Sequence, residues 1–505
     1  MNNNKIKSLN NLVTELNQLS KSKTVVHCHG VFDLLHIGHI KYFQEAKSMG
    51  DVLIVTITPD RFVNKGPGRP AFNEKYRAEA IAALDVVDYV AINEWPTAIE
   101  TIKLLKPNLY VKGPDYKNYK EDVTGNIKLE EDAIKSVGGK IAFTSDVTFS
   151  SSSLINEQIS QLTDEQKKFL DKLKAKYDFK KIAEYIDKLT KLKVLLVGEV
   201  IIDEYVFCDT IGKSGKEPVL VNQKINIEKY AGGILAVANH VSAFCKQGKI
   251  LSYLGDRDNQ NQFIKENLSS NIYLDFIHKS NSPTIQKTRF IDNYTKTKTL
   301  GVYDINDDLL NKHEAAEFCS KLEECINDYD VVTVVDYGHG LITSKIVNLL
   351  EEKSHYLGVN TQLNSFNMGY HTISKYKKVN YVCVHEGELR HDYRNRSDTV
   401  EHLVKSLSNR VKSNVIVITQ GTEGSLAFEN NEFTTCPAFA TNVVDRIGAG
   451  DTLLAITSLC FAAGIPPDLT LFIGNLVAAK MVGSIGTGIK LNKIDLLKSI
   501  ESLLK

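Results

Sequence analysis

This chain has no net charge, since 61 Lys and Arg residues balance 61 Asp and Glu. The balance argues against a dedicated nucleic-acid or membrane-surface binder, because a protein that holds phosphate backbones carries a basic excess. Paired cysteine motifs are missing too. The eight cysteines (Cys28, Cys208, Cys245, Cys319, Cys325, Cys383, Cys436 and Cys460) form no Cys-x-x-Cys and no Cys/His spacing of a zinc site, so they read as reduced cytoplasmic thiols. No run of about 18 uncharged apolar residues occurs, and the polar stretch Met1 to Leu12 lacks the apolar region of a signal peptide. No repeat or low-complexity tract is evident. At 505 residues the chain is too long for one core, which implies two or three domains.

What is present is an alternation of strand and helix patterns. Apolar, β-branched runs at Val52–Ile57, Tyr89–Ile92, Leu109–Lys112 and Lys140–Phe143 are separated by helical stretches, which predicts a parallel, doubly wound sheet with ligands at the carboxyl ends of its strands. From Leu162 to Leu192 the composition shifts to Lys, Asp, Glu and Leu, with apolar residues at helical spacing, and predicts one or two amphipathic connecting helices packed on a domain or a partner. A second αβ pattern starts at Lys193. Its strand-rich parts, Tyr205–Ile227 and Thr288–Tyr303, suit a small antiparallel lid. The expected division is an α/β domain over 1–160, a helical linker over 161–192 and a second α/β domain over 193–505.

The most informative stretch is Gly30-Val-Phe-Asp-Leu-Leu-His36-Ile-Gly38-His39, preceded by a short strand at Thr24–Cys28 and followed by a helix predicted over about 40–49. Two imidazoles on the first turn of that helix can face an α-phosphate over its N-terminus, where the dipole and free N–H groups already favour an anion. Further motifs follow in order: Lys65-Gly-Pro-Gly-Arg69-Pro, Arg77, the stretch Ala82–Val90, Lys112-Gly113-Pro-Asp115, and the serines Ser150 to Ser153.

On these motifs residues 24–155 resemble the His-x-Gly-His nucleotidyltransferases, and specifically the adenylyltransferase half of the bifunctional ADP-heptose synthases. The resemblance implies transfer of a nucleoside monophosphate from ATP, or CTP, to a sugar 1-phosphate, with magnesium carried by the triphosphate. It implies catalytic roles for His36, His39 and Lys65, and nucleotide or phosphate contacts for Gly30, Phe32, Asp33, Gly38, Arg69, Arg77, Lys112, Gly113, Asp115, Ser151, Ser152 and Ser153. Plainer readings exist for some of these. Lys65 and Arg69 lie in a Gly/Pro-rich loop that would otherwise be a solvated charged loop, and the serines can cap a helix as well as bind phosphate. His27 and His29 beside Cys28 read as residues for packing or phosphate contact rather than metal ligands, and His29, next to Gly30, is within reach of a nucleotide.

In the second domain, Gly448-Ala449-Gly450-Asp451 opens an apolar helix predicted over 453–463. A glycine-rich turn at a helix start lets backbone N–H groups close on phosphate oxygens, and an Asp one step inside can accept the proton of an attacking hydroxyl. With Val197–Asp203, Gly232-Gly233, Gly255-Asp256, Pro283-Thr284, Lys287, Arg289, Asp336-Tyr337, Gly421 and Gly424, the domain resembles the ribokinase-like carbohydrate kinases, and again the kinase half of ADP-heptose synthases. The resemblance implies a base at Asp451, an anion hole at Gly448 to Gly450, a nucleotide contact at Gly421, sugar contacts at Asp203, Gly232 and Gly233, and a metal role for Glu388.

Departures from that family are specific. Ala236 stands for a substrate-facing Asn, Asn360-Thr361-Gln362 for Asp-Pro-Lys, His385-Glu-Gly-Glu388 for Asn-x-x-Glu, and Ile447 for Thr. The domain order is also reversed relative to typical ADP-heptose synthases. Two alternatives stay open: a cytidylyltransferase acting on a polyol, glycerol or sugar phosphate, and a second domain that binds sugar or nucleotide without catalysis. Kinases with such lids pair into dimers, so a homodimer acting on small molecules is expected.

Overall fold

The computed structural model describes residues 4–19, 22–114, 126–145, 162–483, 486 and 491–505. It divides into two compact units, Met1–Leu162 with Leu497–Lys505, and Thr163–Leu496.

The first unit is built on β1 (Val25–Gly30), β2 (Val52–Ile57), β3 (Tyr89–Ile92), β4 (Leu109–Lys112) and β5 (Lys140–Phe143). They form one parallel sheet in the order β3-β2-β1-β4-β5, with helices between successive strands. β2 is buried along its whole length, as a central parallel strand covered on both faces must be. One core face gathers Val26, Cys28, Phe43, Val55, Ile57, Ile81 and Val90. The opposite face packs Val52, Ile54 and Ala91 against an N-terminal helix, Leu9–Gln18, capped by Ser8. That helix was not anticipated, although Leu9, Leu12, Val13 and Leu16 already have its spacing.

The second unit contains β6 (Lys193–Gly198), β7 (Val200–Lys213), β8 (Leu220–Gly233), β9 (Gln247–Gly255), β10 (Ile272–Lys279), β11 (Ile285–Asp292), β12 (Lys298–Asp304), β13 (Val331–Asp336), β14 (Leu357–Thr361), β15 (Tyr381–His385), β16 (Val415–Thr419), β17 (Ser425–Glu429) and β18 (Glu432–Cys436). Nine of them make a sheet ordered β10-β9-β6-β13-β14-β15-β16-β17-β18, parallel up to β16 and antiparallel beyond it. The small sheet is β12-β11-β7-β8. It is mixed rather than antiparallel as expected, because β11 reaches β7 by a crossover through the main sheet and arrives parallel to it. The two connecting helices, Asp164–Lys176 and Phe179–Leu189, bury Leu170, Leu173, Ile182, Ile186 and Leu189, and Phe169 packs its ring against Phe439 and Phe472. They therefore pack within the second unit, one of the two placements expected of connecting helices.

Among the described residues no helix is long and apolar enough to cross a membrane. All eight cysteines are buried and unbonded.

Candidate active sites

After β1 the chain turns through two left-handed residues, Phe32 (φ 49°) and Leu34 (φ 62°). This folds the Phe32 ring back under Gly30, where an added Cβ would come within 2.9 Å of the ring. Glycine is therefore a packing requirement at position 30. Phe32 also meets His39 edge-on with centroids 5.3 Å apart, and packs on Phe43. The helix that follows is Ile37–Ser48, three residues earlier than expected, because His36 itself caps it: its Nδ1 accepts the N–H of Gly38 at 3.1 Å. An accepting Nδ1 leaves the proton of the neutral ring on Nε2. The two imidazoles stack with centroids 4.0 Å apart. Burial, then His36 and then Lys65, push His39 down to about 3, and burial followed by Lys65 lowers His36. Near neutral pH both rings are uncharged N–H donors.

Asp33 ties the following loop to this turn. Its carboxylate accepts from Arg69 Nη1 at 3.1 Å and from the N–H groups of Ala71 and Phe72 at 2.9 and 3.2 Å, and the Asp33 and Arg69 side chains are almost wholly buried. Among the described residues Arg69 Nη2 is buried with no partner, a donor left for an anion. Lys65 is half-buried and pushed down to about 8, by burial first and then by Arg69. These two cations are drawn into the fold rather than solvated.

Arg77 and Lys112 are placed otherwise than expected. Arg77 is buried and donates to the carbonyls of Phe72, Val31 and Thr58 and to Asp60 Oδ1, so it staples the ends of β1 and β2 together. Lys112 pairs with Glu130 at 2.9 Å, both largely buried. A Cβ on Gly113 would meet nothing within 4 Å, so the backbone there is open to a close approach. Asp115, Ser151, Ser152 and Ser153 lie outside the described residues. His27 Nε2 and His29 Nδ1 share the Thr56 hydroxyl at 2.7 and 2.8 Å, and His29 Nε2 meets Thr58 Oγ1 at 3.2 Å. Among the described residues no three His, Cys, Asp or Glu side chains gather as a metal site.

In the second unit Gly448 adopts φ 82° and caps the helix Ala449–Ala462, which puts Ala449, Gly450 and Asp451 in its first turn. A Cβ on Gly450 would touch nothing within 4 Å, so an anion can approach these N–H groups. Burial raises Asp451 to about 6; the Tyr337 hydroxyl, donating to Oδ2 at 3.0 Å, opposes the rise, as does Lys287 more weakly, while Asp203 adds to it. Asp203 stands opposite Lys287 in the β7–β11 register and is paired with the Arg289 guanidinium. Gly232 and Gly233 let β8 run against β7. A Cβ at 232 would meet Asp203 Oδ2 at 2.1 Å, and one at 233 (φ 56°) the Glu199 carbonyl at 2.6 Å. Gly421 is left-handed and open to solvent space.

Glu388 serves as a cap. Its oxygens accept the N–H groups of Leu363 at 3.1 Å and His385 at 2.7 Å, and burial lifts it to about 7. Of the departures, Asn360 is buried and donates to the Cys383 carbonyl, and Ala236 is buried in the helix Ile234–Ser242. Sequence reasoning named Tyr337 and Glu199 only within motifs and missed Asn364 and Asn367 around them.

The pfkB family carbohydrate kinase pattern matches residues 191–494, more than half of the chain. The chain belongs to that family. A cytidylyltransferase-like pattern matches residues 27–158 ahead of the pfkB domain. Curated relatives match over the first domain. The bifunctional protein HldE of Trichlorobacter lovleyi is 41% identical over 150 residues, 29% of each chain, and that of Aliarcobacter butzleri 46% identical over 132 residues, 26% of this chain and 27% of the relative. The chain thus matches less than a third of the length of these relatives. The crystal structure of Escherichia coli phosphofructokinase-2 in complex with substrates and products shares the fold of the pfkB domain at 13% identity, with a TM-score of 0.51 over 63% of this chain and all of that one.

Proposed function

We propose that the first domain transfers a nucleoside monophosphate, AMP by preference, from MgATP to a sugar 1-phosphate of the heptose type. An acceptor phosphate oxygen attacks the α-phosphorus, the bond from that phosphorus to the bridging oxygen breaks, and pyrophosphate leaves with the magnesium. The nucleophile is already ionised, so no base is needed. Alignment and charge stabilisation supply the rate. The observation that carries the reading is the stacked, neutral His36–His39 pair beside Lys65 and the unpartnered Arg69 Nη2. Neutral imidazoles donate hydrogen bonds to the five-coordinate phosphorus oxygens, while the two cations take the β,γ-phosphates.

The second domain, in this reading, moves the γ-phosphoryl group of MgATP to a sugar hydroxyl. The hydroxyl oxygen bonds to phosphorus, the proton passes to Asp451 and ADP leaves. Lys287 and Arg289, set around Asp203, offer hydrogen-bond donors to an acceptor that is itself phosphorylated. The eight buried thiols support a reducing, cytoplasmic setting. A second copy of the chain is the partner we expect at the small sheet, where Leu220, Val221, Ile225, Leu300 and Val302 are exposed.

The test is pyrophosphate release by the full chain with ATP or CTP and a panel of sugar and polyol phosphates. Release with ATP and a sugar 1-phosphate, lost in His39→Ala, supports the reading. Release with CTP alone moves the assignment to the cytidylyltransferase alternative, which the cytidylyltransferase-like match keeps in play.

A further inference from the structure

The segment that departs from the family's Asp-Pro-Lys leads into a set of contacts that end at the base. Asn364 and Asn367 each donate from Nδ2 to the carbonyl of Tyr337, both at 2.8 Å. Asn367 Nδ2 also reaches the Gln362 carbonyl at 2.9 Å, and Asn367 Oδ1 accepts the Asn364 N–H at 2.9 Å, so the two amides fix one another. Glu388 anchors the same segment through the Leu363 N–H. From the other side, buried Glu199 accepts the N–H groups of Tyr337 and His339 at 3.1 and 3.0 Å. Gly338 follows at φ 70°, and a Cβ there would stand 2.5 Å from Asn367 Nδ2. Both main-chain polar groups of Tyr337 are thus held, its side chain is buried, and its hydroxyl lies 3.0 Å from Asp451 Oδ2.

We propose that Tyr337 is a positioning residue for Asp451, and that the Asn364–Asn367 clamp, anchored by Glu388, holds its hydroxyl on one carboxylate oxygen and leaves the other to receive the acceptor's proton. This inference rests on the kinase reading of the second domain and deepens it. A tyrosine hydroxyl this deeply buried keeps its proton, so it acts as a donor throughout the working pH range. Donation favours the ionised carboxylate and fixes its rotamer, two things a buried base needs. The other groups facing Asp451 are Lys287 from β11, which also favours ionisation, Asp203 from β7, which opposes it, and Glu388 from the helix after β15 and Cys383 from β15, both of which the Asp451 charge pushes up. The departures at 360–362 and 385–388 then mark a rebuilt support for the base rather than the decay of a site.

The test uses the full chain labelled with 13C at the aspartate carboxyl carbon, the Asp451 signal being the one lost in Asp451→Asn. Tyr337→Phe keeps the ring and removes the donor. The Asp451 midpoint should rise by about 0.5–1 pH unit, and Asn367→Ala, which also serves if Tyr337→Phe does not fold, should move it the same way by less. In ADP release with MgATP and a panel of sugar phosphates, kcat should fall about tenfold with KM unchanged and the acid limb displaced upward. An unmoved midpoint would overturn the proposal. So would faster ADP release by Tyr337→Phe, which would make the hydroxyl a plug in the acceptor's place. If the wild type releases no ADP with any acceptor, the kinase reading fails, and the carboxyl titration still decides the role of Tyr337.

Discussion

In the proposed reading the two sites meet the same problem, displacement at phosphorus, with opposite electrostatics. The His-x-Gly-His site is built from neutral imidazoles with cations beside them, and its carboxylate Asp33 is consumed in fixing Arg69 and the loop. The Gly-Ala-Gly-Asp site is centred on a carboxylate lifted to about 6, where it can take a proton near neutral pH. On that reading the difference follows from the nucleophile: a phosphate would arrive ionised, whereas a sugar hydroxyl would have to lose its proton during attack. Assembly differs as well. The first site draws on residues within one short stretch of chain, from Gly30 to Arg69. The second joins β7, β11, the end of β13 and a helix near the C-terminus, so its base is held by a tyrosine 114 residues away.

The largest expected effects separate the two chemistries. Asp451→Asn should lower ADP release by about 10²–10⁴-fold and leave pyrophosphate release intact, and His39→Ala should do the reverse at similar size. Next comes stability. Asp33→Ala leaves the Arg69 charge buried and uncompensated, and should cost about 3–5 kcal/mol in urea unfolding of the first unit as well as raising the KM for ATP. Gly30→Ala pushes a methyl into the Phe32 ring and should cost about 1–3 kcal/mol by the same measurement.

The pH profiles should also diverge. ADP release should rise as pH passes up through about 6, when Asp451 ionises, whereas pyrophosphate release should fall as pH passes up through about 8, when Lys65 loses its charge. For folding, His27 and His39 are both held down to about 3 in the native state. The unfolded chain therefore binds more protons below pH about 6.5, and the stability present above that value is lost as pH falls towards 3. Acid unfolding followed by tryptophan emission checks this directly, because the single Trp95 sits against the first unit's core. The smallest effect expected is that of Glu388→Gln. Because Glu388 caps a helix and holds Leu363, ADP release should drop less than about tenfold, with the magnesium dependence unchanged.

Much of this was legible in the sequence. The interior strands β2 and β4 appeared as apolar runs because parallel strands covered on both faces are apolar along their length, the edge strands β3 and β5 appeared as short apolar runs beside them, and both glycine-bearing turns stood out by composition. The helix Leu9–Gln18 was hidden by its Asn-rich polar face, and the start of the helix at Ile37 by a histidine acting as cap, a job more often done by Ser, Thr, Asp or Asn. Arg77 looked like a phosphate ligand because pattern reading cannot tell a guanidinium aimed at carbonyls from one aimed at an anion. Tyr337 was equally opaque, since its meaning depends on Asn364, Asn367 and Glu199, which only the tertiary fold brings to it.

The central claim is that one chain carries two independent phosphorus-centred transfers. The most direct test is 31P NMR of the full-length protein with MgATP and a sugar-phosphate panel, following pyrophosphate and ADP in the same tube for the wild type, His39→Ala and Asp451→Asn. The account predicts both products from the wild type, only ADP from His39→Ala and only pyrophosphate from Asp451→Asn. Loss of both products in either variant, or of neither, would contradict it.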